Sequence, residues 1–127
     1  MPKKALDGLT ESMFYVLMAL MRQPMCGIEA AEFIQKRTEG RVALGPATLY
    51  TILGKFEQVG YIRETEVVGR KRTYAITELG QAAYAAEVDR LERCLMDAKR
   101  EERREPFGEE DGDGTQTRLA PAAVPGL

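Results

Sequence analysis

The chain has 127 residues, 44% of them hydrophobic and 30% charged, with a formal net charge of −2, which suits one ordinary globular domain. It has no histidine and only two cysteines, which excludes histidine-based catalysis, a conventional zinc site and a disulfide framework, and no other catalytic constellation stands out. Because it also lacks a secretory signal and the run of about 20 apolar residues that spans a membrane, we expect a cytoplasmic protein that is not an enzyme, with no cofactor, no metal site and no membrane contact.

Two helices are predicted at the start of the chain. Thr10 is typical of an N-cap and Glu11 of a first helical turn, so a helix is predicted over Glu11–Arg22, apolar on nearly all sides and therefore buried. It ends at Gln23-Pro24. A second helix is predicted from Gly27 to about Arg37. Its inward-facing residues are expected to be Ile28, Ala31, Phe33 and Ile34.

A third helix is predicted over residues 46–59, because Pro46 suits the first helical position and Gly60 a helix end. Its apolar residues Leu49, Ile52, Leu53 and Phe56 lie within about 100° of arc. Most side chains on the opposite arc are short. This arc includes Ala47, Thr48, Tyr50, Thr51, Gly54 and Lys55. Two interpretations are open: a helix that enters the major groove of DNA, or an ordinary amphipathic surface helix.

A β-hairpin is predicted next, with strands Tyr61–Val68 and Arg72–Ile76 and a turn at Gly69-Arg70-Lys71. Its tip carries three consecutive cations, Arg70, Lys71 and Arg72. Such a tip can reach DNA phosphates or a minor groove, although a run of charge is also typical of a solvated turn. A basic tip directly after a helix of the preceding kind favours DNA binding.

The last predicted helix begins after the N-cap Thr77 and runs past Lys99. Its apolar residues are spaced 4, 3, 4 and 3 apart, which is typical of a coiled-coil seam. They are Tyr84, Val88, Leu91, Leu95 and Ala98. This seam predicts pairing with a second copy of the chain; the alternative is packing onto the chain's own domain. Cys94 lies beside the seam, where oxidation across two copies is conceivable and a filling role is the ordinary one.

The end of the chain is acidic and rich in proline and glycine. Residues 106–127 carry four acids and one base, which leaves seventeen bases and sixteen acids in the other residues. This tail shows no hydrophobic periodicity and is predicted to be disordered. Because the body is nearly neutral, any affinity for DNA must come from local clusters of cations.

Four segments in the same order resemble the PadR family of regulators: Pro24–Glu29, Leu44–Tyr50, Phe56–Ile62 and Gly69–Gly80. The resemblance spans roughly residues 9–100. It implies a winged-helix dimer, usually a repressor, with the helix that carries Thr48 and Tyr50 in the groove of DNA and the basic wing beside it. It also implies that the last helix, with help from the first, forms the dimer interface.

The chain departs from this family at two points. Ile28 stands where an aromatic residue is common in the family, and only one long helix follows the wing, as in short-tailed members. Some short members bind flat aromatic drugs between the dimer helices with the help of a tryptophan, and this chain has no tryptophan.

The sequence thus predicts a mainly α fold with a small β-hairpin wing. We expect a winged helix-turn-helix domain in residues 1–77, a dimerisation helix in 78–105 and a disordered tail in 106–127. The expected partners are double-stranded DNA with a near-palindromic operator and a second copy of the chain. The alternatives are a protein-interaction adaptor without DNA binding and a regulator that senses a small molecule at the dimer interface.

Overall fold

The computed structural model describes residues 6, 8–104 and 106. Over these residues the chain forms four helices and one three-stranded antiparallel sheet, which confirms the predicted mainly α fold with a hairpin wing. The elements are α1 (Glu11–Arg22), β1 (Met25–Cys26), α2 (Gly27–Arg37), α3 (Pro46–Val59), β2 (Ile62–Val68), β3 (Lys71–Ile76) and α4 (Glu78–Arg103). Residues 107–127, most of the predicted tail, lie outside the described part.

The chain divides into two compact units, residues 1–91 and residues 92–127. The first unit contains α1, α2, α3 and the sheet. The described part of the second unit is the remainder of α4 together with residues 104 and 106.

The core of the first unit lies where α1, α2 and α3 meet. Phe56, Leu17, Ile34 and Leu53 are the largest apolar side chains that are fully buried there, and each stabilises the fold by about 1.5–3 kcal/mol relative to an exposed side chain. The four apolar residues predicted for the inner arc of the third helix are all buried. This packing fixes which face of α3 points outward.

The connection between α2 and α3 is held by one buried threonine. The Thr38 hydroxyl donates a hydrogen bond to the carbonyl oxygen of Ile34 at 2.8 Å and accepts one from the N–H of Val42 at 3.1 Å. Because a buried polar group without a partner would be destabilising, these bonds favour a single path for the chain as it leaves α2. They help to set the position of α3 relative to α2.

The sheet has the strand order β1-β3-β2, and its first strand was not predicted. Met25 pairs with Tyr74 and Cys26 with Thr73, so the residues that precede α2 are joined to the wing. A strand of two residues has no alternation by which a sequence could reveal it. The hairpin turn is also one residue shorter than predicted, since Lys71 belongs to β3 and Gly69 takes the positive φ of +61° that a tight turn requires.

The inward face of α2 differs from the prediction at Ile28. Ile28 was expected to face the core but is 65% exposed. The buried stripe is formed by Gly27, Ala30 and Ile34, which follow one another at helical spacing. Ile34 is buried as predicted, and Ala31 and Phe33 are partly buried against the core. The apolar pattern missed Gly27 because glycine has no side chain to register in it.

The base of the wing is joined to α4 through Thr77. Its hydroxyl donates to the carbonyl oxygen of Gly60 at 2.6 Å and accepts from the N–H of Gly80 at 3.1 Å, which confirms the predicted N-cap. Gly80 is buried, and a Cβ there would overlap the carbonyl oxygen of Tyr61 and lie 2.7 Å from Cγ1 of Ile76. The start of α4 therefore packs directly on the backbone at the base of the wing.

We predict that Gly80→Ala lowers the free energy of unfolding by about 1–3 kcal/mol, because the new methyl group must displace backbone atoms. Urea denaturation at a fixed protein concentration measures this change. Gly54→Ala is the matched control: it is also inside a helix, its Cβ would meet no atom within 4 Å, and it should stabilise the protein by about 1 kcal/mol. Equal stability of the two variants would contradict the close packing at Gly80.

Candidate nucleic-acid interface

The outer face of α3 presents all five residues that were singled out on this helix. Ala47, Thr48, Tyr50, Thr51 and Lys55 are exposed, while the opposite face is buried in the core. Three of the five have short side chains, so the helix backbone is open to a close approach. None of the ion pairs among the described residues involves Lys55, which leaves its ammonium group available to an anion.

Tyr50 connects α3 with the beginning of α2. Its ring lies so close to Gly27 that a Cβ at that position would be 2.9 Å from the tyrosine hydroxyl oxygen. The side chain is nevertheless 51% exposed. Tyr50 therefore rests on glycine backbone on one side and leaves about half of its side chain open to a partner.

A shallow hollow of about 390 Å³ lies between the start of α1 and the outer face of α3. It brings Ser12 and Thr10 beside Thr48, Thr51 and Lys55. Sequence reasoning did not assign Ser12 to this surface, because nothing in the sequence shows that the first turn of α1 lies against α3. Its hydroxyl group adds a hydrogen-bonding side chain to the candidate interface.

The wing cations are exposed, as predicted, but two of them have partners within the chain. Lys71 Nζ lies 3.7 Å from Glu29 Oε2, and Arg72 Nε lies 3.5 Å from Glu64 Oε2. Arg70, in the turn, makes no ion pair with any described residue. Sequence reasoning missed both carboxylates, since Glu29 lies far from the wing in sequence and is brought to it by the pairing of β1 with β3.

A concave groove of about 640 Å³ lies between the wing and α2. It is lined by Cys26, Gly27, Ile28, Glu29, Tyr50, Arg70, Lys71, Arg72 and Tyr74. The groove brings Tyr50 of α3 and the three wing cations to one continuous surface. The candidate interface thus has a flat part with short side chains on α3 and a cationic edge at the wing.

Two groups in this groove have shifted pKa values. The pKa of Glu29 is lowered, first by the N–H of Cys26, which donates to its Oε1 at 2.9 Å, and further by Lys71. Burial, followed by the negative charge of Glu57, raises the pKa of Tyr74. At neutral pH the groove therefore contains a charged Glu29 carboxylate and a neutral Tyr74 phenol.

The residues predicted for the dimer seam lie in different surroundings along α4. Tyr84 is half-buried and stacks on Phe14 of α1, with ring centroids 5.2 Å apart, and burial raises its pKa. Val88 is also half-buried. Leu91 is 39% exposed in the first unit, and in the second unit Leu95 is 57% exposed and Ala98 is exposed as well.

The cysteines and acidic residues of the described chain form no recognisable metal centre. No group of three or more potential ligands is close enough to hold a metal ion within the described residues. Cys26 is buried at the start of α2 and Cys94 is exposed on α4. Among the described helices, none combines the length and apolar character needed to cross a bilayer.

A family model described as the transcriptional regulator PadR-like family matches residues 16–86, more than half of the chain. The chain belongs to this family. The match includes α2, α3 and the entire wing, and thus most of the elements that form the candidate interface. Members of this family are transcriptional regulators rather than typical enzymes, and DNA-binding transcription regulation is accordingly the functional class of this PadR-like chain.

Solved structures show the same fold. A transcriptional regulator from Clostridium thermocellum is 23% identical and superposes with a TM-score of 0.63 over 69% of this chain and 89% of its own. RosR of H. salinarum is 26% identical, with a TM-score of 0.57 over 79% and 89%. A PadR family transcription regulator from Clostridium difficile is 18% identical, with a TM-score of 0.55 over 71% and 94%. No curated protein matches this PadR-like chain.

Proposed function

We propose that this protein is a sequence-specific transcriptional regulator, a repressor, that binds a near-palindromic DNA operator as a homodimer. The observation that carries the proposal is the meeting of the exposed face of α3 with the cationic wing at Tyr50. A helix with short outer side chains suits the major groove, and cations beside it suit the phosphates that flank the groove. The resemblance to PadR regulators supports the repressor role.

Each part of the surface has its own task in this proposal. Ala47, Thr48 and Thr51 contact base edges, since threonine hydroxyls accept or donate hydrogen bonds and methyl groups pack on thymine. Tyr50 and Lys55 contact backbone phosphates on one side of the groove. Arg70, at the wing tip, reaches the backbone or the minor groove on the other side.

Lys55→Ala and Arg70→Ala are each expected to weaken DNA binding on all sequences alike, because each removes one phosphate contact. The slope of log affinity against log salt should become shallower by about 0.9 for each variant between about 50 and 200 mM salt. Fluorescence anisotropy with a labelled duplex from upstream of the protein's own gene measures both quantities.

Lys36→Ala provides the matched control for this experiment, since Lys36 is exposed on the last turn of α2, outside the candidate interface. It should leave the affinity and the slope unchanged. If it weakens binding as much as Lys55→Ala does, the assignment of α3 as the DNA-binding helix is wrong. If the unchanged protein retards no DNA at low salt, the adaptor function is favoured instead.

The homodimer is proposed from the apolar side chains that α4 leaves exposed. Leu91 and Leu95 occur at coiled-coil spacing and are both open to solvent in the single chain. Exposed apolar stripes of this kind are uncommon on monomers, and a second α4 would cover the stripe. Two copies would present two α3 helices to half-sites about 34 Å apart, which is why the operator should be near-palindromic.

The double substitution Leu91→Gln/Leu95→Gln should convert the protein from a dimer to a monomer, because glutamine keeps the helix propensity of α4 but removes its apolar stripe. Light scattering after size exclusion should then show the chain mass of 14.2 kDa instead of twice this value. Asp97→Gln, about 200° around the helix from Leu95, should remain dimeric. A dimer that survives the double substitution would contradict the proposed interface.

A further inference from the structure

The wing contains an arrangement that DNA binding alone does not require. Two of its three cations are held by carboxylates of the same chain, Lys71 by Glu29 and Arg72 by Glu64. A carboxylate presents two anionic oxygens to an ammonium or guanidinium group, as a phosphate does. Each glutamate therefore satisfies the same kind of cationic group that a DNA phosphate would contact.

The geometry of the first pair favours a fixed carboxylate and a movable cation. Glu29 accepts the N–H of Cys26 at 2.9 Å through Oε1, so that one of its oxygens is tied to the start of α2, while Oε2 faces Lys71. The hydrogen bond to the backbone also lowers the pKa of Glu29. Lys71, by contrast, is an exposed side chain with a flexible stem.

The second pair lies across the hairpin. Glu64 belongs to β2 and Arg72 to β3, and the two side chains meet at 3.5 Å beside the bulge between Glu64 and Glu66. Both pairs are at the surface, where solvent screens an ion pair so that it adds little to stability and either partner can be exchanged for another ion. Arg70 makes no ion pair with a carboxylate of the described residues.

We propose that Glu29 and Glu64 are specificity-determining residues, an inference that rests on the proposed function. They hold Lys71 and Arg72 away from the phosphates of non-specific DNA. Non-specific affinity arises almost entirely from phosphate contacts, whereas the specific complex adds base contacts that lie on α3. By neutralising two wing cations, the glutamates weaken binding to any DNA backbone. Recognition then depends more strongly on the outer face of α3.

The variants Glu29→Gln and Glu64→Gln test the proposed role of the two glutamates. The affinity of each full-length variant for a random-sequence duplex is measured as a function of salt. Glutamine at position 29 still accepts the N–H of Cys26, so the start of α2 is retained while the negative charge is lost. Each variant should bind the random duplex several-fold more tightly, and its salt slope should steepen by about 0.9 because one more phosphate is neutralised. Affinity for the duplex from upstream of the gene should rise less, so the specificity ratio falls.

Two controls separate release of the wing cations from a general change of charge. The controls are Glu32→Gln and Glu66→Gln. Glu32 lies one turn along α2 from Glu29, and Glu66 lies on β2 near Glu64. Neither residue takes part in an ion pair among the described residues. Both should change affinity for the random duplex much less than their neighbours do. In the Lys71→Gln background, Glu29→Gln should no longer increase affinity, since its partner is gone.

The outcomes distinguish this inference from the proposed function. If the unchanged protein binds DNA but Glu29→Gln and Glu64→Gln leave affinity and slope unchanged, the inference alone is overturned. An equal gain with Glu32→Gln and Glu66→Gln also overturns it, because the effect is then one of total charge. If neither the unchanged protein nor any variant binds DNA, the proposed function fails and the inference fails with it.

Discussion

The arrangement of the candidate interface depends on β3, the central strand of the sheet. This strand pairs with β2 to form the wing and with β1 to join the wing to the residues that begin α2. Beyond its end, Thr77 donates a hydrogen bond to the carbonyl oxygen of Gly60, the residue that follows α3. One short strand thus connects the wing to three helices, which is why Tyr50 and the wing cations lie around a single groove.

This arrangement also explains how a nearly neutral protein can present a cationic edge. Three consecutive cations stand at the end of a hairpin that pairs with β1 and leads into α4, so that a local cluster of positive charge exists despite the near-neutral total. Two acidic residues, Glu29 and Glu64, form ion pairs with two of these cations. In the proposed complex, each cation would bind DNA only where a phosphate replaces the glutamate. In the proposed function, the balance of charge at the wing therefore matters for recognition together with the number of cations.

Local signals were sufficient to predict the helices. Thr10, Pro46, Gly60 and Thr77 stand at helix ends for reasons that concern only their immediate neighbours, and the observed bounds follow them closely. The division of α3 into a buried and an exposed face followed from its periodicity in the same way. The family resemblance agreed with these assignments, and the family match confirmed it.

Features that depend on contacts between distant residues could not be predicted. The strand β1 is too short to have a pattern, and its partner Tyr74 is 49 residues away in sequence. The exposure of Ile28 follows from the burial of Gly27, which a hydrophobic pattern cannot register. The same is true of the pairing of Glu29 with Lys71 and of the stacking of Tyr84 on Phe14, because both require the folded arrangement of elements.

The most direct test of the account is a map of backbone amide chemical shifts during titration with the duplex from upstream of the gene. We expect the largest changes in residues 47–55 of α3 and in residues 66–72 of the wing, with small changes at Glu32 and Lys36 on the outer side of α2. Changes concentrated on the outer side of α2, with α3 and the wing unaffected, would contradict the proposed interface.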